Sequence, residues 1–215
     1  SASARWAVSE AFANLHLKAG VMDVTVMENR WQPMAQYKPR IPQPADQPLR
    51  CCFVGGVALH KGFAVLQAAF LQAQPVQPGL QLTVVDSQLK QGEVFEVEWG
   101  ITKVLFVAPL PMDAMESFYA EHDVLLAPSI WPESYGLVSR EALSSGLWVV
   151  ASDIGALADE INDGVNGYRV APGNVMIWTQ VLEKLSKYRP IAQPFLSFKH
   201  NKIALCDELA QKYQA

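Results

Sequence analysis

The sequence predicts an α/β fold organised on a doubly wound, largely parallel sheet, and three observations carry that expectation. Apolar runs of strand length recur at about 51–55, 82–86, 103–107, 123–127, 147–151 and 167–170. Helical patterns or loops separate most of them, and repeated strand–helix–strand units imply a parallel sheet covered on both faces. With 50% hydrophobic and 18% charged residues, a chain of 215 can bury a substantial core, as one large domain or two small ones.

Taken in order, residues 4–19 place apolar side chains at helical spacing and stop at Gly20. Val24 to Met27 reads as a short strand. Prolines 33, 39, 42, 44 and 48 then mark an extended loop or linker before the alternation begins. The strongest helical patterns cover about 61–73, 112–121, 137–145, 156–162 and 174–187, with a last amphipathic one near 199–213. Glu93, Glu96 and Glu98 alternate with Val94, Phe95, Val97 and Trp99, as on an extended segment with one solvated side.

Composition excludes several classes of function. The formal net charge is −4 and no dense Lys/Arg run occurs, which argues against a nucleic-acid partner. Cys51, Cys52 and Cys206 lack metal-ligand spacing, and the adjacent pair sits in an apolar strand pattern, as buried thiols in a reducing compartment do. No apolar stretch reaches membrane-span length and the N-terminus is not a signal peptide. The expected setting is therefore the cytoplasm.

Numbering the six apolar runs one to six, the usual doubly wound Rossmann-like order 3-2-1-4-5-6 sets strands one and four side by side, with ligands bound beyond their carboxyl ends. Strand one runs into Gly55-Gly56-Val-Ala-Leu-His-Lys61-Gly62, and strand four into Pro128-Ser-Ile-Trp-Pro-Glu133-Ser134-Tyr135-Gly136-Leu137-Val138-Ser-Arg-Glu141. Gly55 and Gly56 permit backbone to approach a phosphate, and Lys61 supplies a cation for a diphosphate. This loop has neither a Walker ending nor a Gly-x-Gly-x-x-Gly fingerprint. Glu133 on its loop can accept from sugar hydroxyls. The N–H groups of Gly136, Leu137 and Val138 open a helix and favour an anion, and Glu141, further into that helix, can hold the hydroxyls of a ribose. Either Glu alone reads more simply as a helix-surface residue favoured by the dipole. Together, with a glycine at the turn and an apolar strand upstream, they describe a nucleotide-sugar site.

From Phe53 to Gly173 the chain resembles the C-terminal, donor-binding half of retaining glycosyltransferases of the two-domain GT-B fold, family 4. The carrying motifs are Phe53-Val-Gly-Gly with His60-Lys61-Gly62, Ala127-Pro-Ser-Ile-Trp-Pro-Glu133 through Glu141-Ala-Leu-Ser-Ser-Gly146, Val149-Val-Ala-Ser-Asp-Ile-Gly155-Ala-Leu-Ala-Asp-Glu160, and Asp163-Gly-Val-Asn-Gly167. The resemblance implies that Glu133 contacts the donor sugar, Glu141 the ribose and Lys61 the diphosphate, with Glu133 and Lys61 in the catalytic roles. It also implies that the base rests against Ala108-Pro109-Leu110, and that transfer retains configuration without a cofactor or bound metal. The family's usual Arg after the strand-one glycine is replaced by Gly56, and its common Pro by Trp148.

The resemblance further implies a division of the chain. Residues 1–22 would be the tail of an N-terminal acceptor domain or a linking helix, 23–198 the nucleotide-sugar-binding domain with Val24 to Asn29 opening it, and 199–215 a C-terminal helix. The acceptor domain itself, roughly 150–200 residues, would lie outside the chain. Expected partners are a nucleotide sugar and a carbohydrate or lipid-linked acceptor of polysaccharide or glycoconjugate synthesis, with peripheral contact to the inner membrane face through that domain. A nucleotide-sugar epimerase or a non-catalytic nucleotide-sugar-binding module are the competing expectations. Outside these motifs, His16, His60, His122 and His200 form no metal-ligand cluster. His122 reads as a helix cap, and Trp131 as an aromatic anchoring its loop.

Overall fold

The structure, a computed structural model, describes residues 4–29 and 43–190. The amphipathic pattern near 199–213, prolines 33, 39 and 42, Cys206 and His200 lie outside the described residues.

Nine strands and five α-helices follow one another: β1 Arg5–Ala7, α1 Glu10–Lys18, β2 Val24–Val26, β3 Leu49–Val54, α2 Phe63–Gln72, β4 Leu80–Val85, β5 Val94–Trp99, β6 Thr102–Val107, α3 Met115–Ala120, β7 Val124–Ala127, α4 Leu137–Ser144, β8 Trp148–Ser152, β9 Gly167–Val170 and α5 Val175–Tyr188. Seven strands form one sheet in the order β5-β6-β4-β3-β7-β8-β9. Leaving β5 aside, this is the order expected from the sequence, and every pair in it is parallel. β5 joins the edge antiparallel to β6.

The strands read as unbroken apolar runs because both sheet faces are buried. In β7, Val124 and Leu126 enter one core with Leu66, Phe70, Trp178 and Leu182, whereas Leu125 and Ala127 enter the other with Tyr119, Leu143 and Leu157. Helices α2 and α5 cover the first face, α3 and α4 the second. Cys51 and Cys52 are both buried, one toward each core, and burial pushes the Cys51 thiol far up.

Four expectations are corrected. The helix expected over 4–19 begins only at Glu10: residues 5–7 pair in parallel with 24–26, and Ser9, in extended conformation, caps the helix by accepting from Phe12 N. β2 thus belongs with β1 rather than to the large sheet, as a small β-α-β unit. Lys61 lies on a single 3-10 turn, Leu59–Lys61, ahead of α2, and the helix expected over 112–121 likewise starts as a 3-10 turn at Met112–Ala114. Residues 156–162 form no helix but turns over 156–160: Asp159 N and Ile161 N donate three residues back, to Ala156 O and Ala158 O, while Ala156 N donates to Glu133 O.

The glutamate-bearing extended segment is β5, with Glu96, Glu98 and Val94 exposed and Glu96 paired to Lys103 across the strand pair at 3.5 Å. Parallel neighbours β4 and β6 are therefore joined through an antiparallel edge strand in place of a crossover helix. That leaves a groove of about 620 Å³ beside α3, lined among others by Gln81, Thr83, Leu105 and Val107.

Candidate functional site

Because β3 and β7 are neighbours, with Cys51 opposite Val124 and Cys52 opposite Leu125, the loops that follow them meet. His60 O ties them together, accepting from Ile130 N at 3.0 Å and from Ser129 Oγ at 2.9 Å. Above this lacing Lys61 Nζ reaches Glu133 Oε1 at 2.9 Å, with 29% and 18% of the side chains exposed. The Lys61 stem lies against Gly55, where a Cβ would come within 3.3 Å of Lys61 Cγ. Two residues 72 positions apart in sequence are thus brought together at one edge of the sheet.

The loop then enters α4 through Gly136, whose φ of 68° is left-handed. A Cβ there would stand 2.7 Å from Ala156 O and 2.8 Å from Leu157 Cα, so the entry requires glycine. No side chain caps α4. The N–H groups at its start have no intrahelical acceptor and carry the positive end of the helix dipole. Arg140 braces this entry from beneath. Its buried guanidinium donates to Tyr135 O, lies 4.2 Å from the Tyr135 ring centroid and pairs with Glu160 at 3.5 Å.

Glu141 Oε2 accepts a hydrogen bond from Tyr119 Oη at 3.1 Å, across from α3. Burial raises the Glu141 pKa, and the Tyr119 hydrogen bond opposes that rise. Tyr119, fully buried, has its own pKa raised well above that of a free phenol, first by burial and then by the Glu141 charge.

The remaining sequence-derived candidates fall around this centre. Gly56 N donates to Val85 O, and Ala108, Pro109 and Leu110 leave β6 at the same sheet edge, two strands from β3. Ser134 O accepts from Ser9 Oγ at 2.6 Å, and Tyr135 Oη donates to Asn29 O at 3.3 Å, so the β1-α1-β2 unit holds the Glu133 loop from outside. Leu137 is exposed and Val138 half-buried. Three participants were not singled out in the sequence. Tyr119 reads there as one more core aromatic, Arg140 as a helix-surface charge beside Glu141, and Ser9 lies inside an uninterrupted helical pattern. Trp131, read as a loop anchor, is instead 67% exposed. His122 is buried and its Nδ1 donates to Phe118 O at 2.7 Å, the cap expected of it. Among the described residues no group of three or more His, Cys, Asp or Glu is placed to hold a metal.

Residues 36–195 match the family described as glycosyl transferases group 1. The chain belongs to that family. Among curated relatives, the D-inositol 3-phosphate glycosyltransferase of Corynebacterium diphtheriae is 32% identical over 150 residues, 66% of this chain and 35% of that protein. The lipopolysaccharide 1,2-N-acetylglucosaminetransferase of Salmonella typhimurium is 27% identical over 129 residues, 55% of this chain and 34% of that protein. This group 1 chain therefore spans about a third of the length of the curated relatives it matches. Among solved structures, Anabaena HepE in complex with UDP and glucose superposes with a TM-score of 0.71 at 18% identity, covering 99% of this chain and 63% of that one. WaaG, a glycosyltransferase involved in lipopolysaccharide biosynthesis, superposes at 0.68 with 18% identity, covering 96% and 61%. The fold is that seen in these GT-B glycosyltransferases.

Proposed function

We propose that these residues form the donor-binding half of a retaining glycosyltransferase that takes a nucleoside-diphosphate sugar. The observation that carries the reading is the meeting of Lys61 and Glu133 at 2.9 Å beside the uncapped start of α4. In that arrangement Lys61 leaves Glu133 for the diphosphate, the N–H groups from Gly136 to Val138 receive a phosphate oxygen, and Glu133, released, accepts from hydroxyls of the donor sugar. Glu141 holds the ribose and the turn Ala108–Leu110 supports the base. Fixed donors and a cation aimed at the departing diphosphate stabilise the charge that develops as the glycosidic bond breaks. The complexes of HepE with UDP and with UDP-glucose support a uridine nucleotide as the first donor to try.

Calorimetry with UDP, GDP and ADP tests the reading. One of them binds, and Lys61→Ala weakens the diphosphate by about 1.5–3 kcal/mol while leaving the bare nucleoside unchanged. Equal losses for both ligands would remove Lys61 from the phosphate site. The absence of the family Arg at Gly56 favours a second reading, a module that binds nucleotide sugar without transferring it. Sugar transfer to any carbohydrate or lipid-linked acceptor by the whole protein, unaffected by a chelator, rules that second reading out.

A further inference from the structure

We propose that Tyr119 is the positioning residue of the nucleotide's ribose subsite, aiming the carboxylate of Glu141. The inference rests on the reading of Glu141 as the ribose ligand and adds to it a residue from another element, α3. Tyr119 is fully buried between the sheet and α4, so its ring packs as core, yet its hydroxyl is spent on Glu141 Oε2 at 3.1 Å. A phenol that only filled the core would be served as well by Phe, since a buried hydroxyl must find a partner or be penalised.

The partner found is informative. An ionised carboxylate offers a vicinal diol acceptors alone, whereas a protonated one turns one oxygen into a donor. Glu141 sits where burial favours its neutral form, and the Tyr119 donor offsets this. The same bond fixes the rotation of the carboxylate, since Oε2 is held toward α3. Preorganisation of this kind cuts the ordering cost of binding. The two side chains lie 22 positions apart, on helices joined by β7, so the pair also ties the position of α4 to that of α3.

The test is a cycle between protein and ligand. Affinities of wild type and Tyr119→Phe are measured by calorimetry for the ribo- and the 2′,3′-dideoxy forms of UDP, GDP and ADP. The variant binds the preferred ribonucleotide about tenfold more weakly and the dideoxy form within about twofold of wild type. Adding Tyr119→Phe to Glu141→Gln then removes little further ribose discrimination, as expected when one residue acts through the other. Equal weakening of ribo- and dideoxy nucleotides makes Tyr119 merely structural and overturns the inference, as does no weakening of either. Failure of every nucleoside diphosphate to bind wild type overturns the functional reading itself, a result distinct from both. An arm that needs no variant uses wild type labelled at the tyrosine Cζ carbon. The Tyr119 resonance shifts on adding the ribonucleotide and stays in place on adding its dideoxy form. A Tyr119 signal that responds alike to both would also overturn the assignment.

Discussion

Lys61 and Glu133 share a charge pair that is exposed enough for water to weaken it, at 29% and 18% of the side chains. Pairs of that kind contribute about 0–1 kcal/mol, so this one is inexpensive to open for ligand. Glu133→Gln accordingly changes stability by less than about 1 kcal/mol in urea unfolding; a loss twice as large would make the pair a structural brace. Gly136 is the opposite case, since left-handed strain and collision with Ala156 and Leu157 act together. Gly136→Ala costs about 2–4 kcal/mol by the same measurement, and a loss under about 1 kcal/mol would show that the loop relaxes freely. Gly56 explains the missing family Arg in similar terms: its φ is 66° and a Cβ would come 2.7 Å from Ser87 Oγ, so the backbone here is shaped for glycine. Glu141 carries a pH signature. Its folded pKa lies above its ordinary one, so the native state holds more protons between the two values and stability falls as pH rises through the folded pKa. Glu141→Gln, which still offers Tyr119 an acceptor, escapes that loss. The stability of this variant relative to wild type therefore rises from about pH 4 to about pH 7, and a difference flat with pH would remove burial as the cause.

Elements were legible in the sequence where one period dominated and obscure where the backbone had a distant partner. The six parallel strands matched the apolar runs and the doubly wound order, since strands packed between two helical layers read as apolar runs. Residues 156–162 have helical spacing, yet they turn in three-residue steps with Ala156 N tied to Glu133 O, a distant partner that no local periodicity records. Ser9 shows the same limitation. Within the sequence it is one polar residue in a helical pattern, whereas in the fold its hydroxyl both caps α1 and reaches Ser134 O at 2.6 Å. The two roles separate by substitution. Ser9→Asp still accepts from Phe12 N and keeps the cap, which otherwise is worth about 1 kcal/mol, but it cannot donate to the Ser134 carbonyl. Thermal stability of this variant falls, because the carboxylate is buried against the Ser134 carbonyl, and nucleotide-sugar affinity falls while bare nucleotide affinity holds, because the loop bearing Glu133 loses the Ser9 tether. Unchanged affinity for the nucleotide sugar would show that the remaining tethers, Tyr135 Oη to Asn29 O and Ala156 N to Glu133 O among them, fix that loop without Ser9.

At the scale of the molecule, the site occupies one edge of a single sheet and nothing among the described residues closes over it. Lys61, Glu133 and the start of α4 bind and orient a donor, but alignment with an acceptor and exclusion of water call for a second wall. The β1-α1-β2 unit, tied to Ser134 and Tyr135 by Ser9 and Asn29, flanks the loop that bears Glu133. The chain spans about a third of the length of its curated relatives. Residues 1–215 alone therefore bind the nucleotide sugar, show little transfer or donor hydrolysis, and gain transfer when joined to an acceptor lobe. In that longer protein Glu133→Ala abolishes turnover while nucleoside diphosphate binding persists, because the nucleotide engages Lys61, Glu141 and the α4 entry rather than Glu133. Radiolabelled donor with and without the acceptor lobe decides the matter. Rapid transfer by the 215 residues alone would mean that the exposed edge already makes a complete active site.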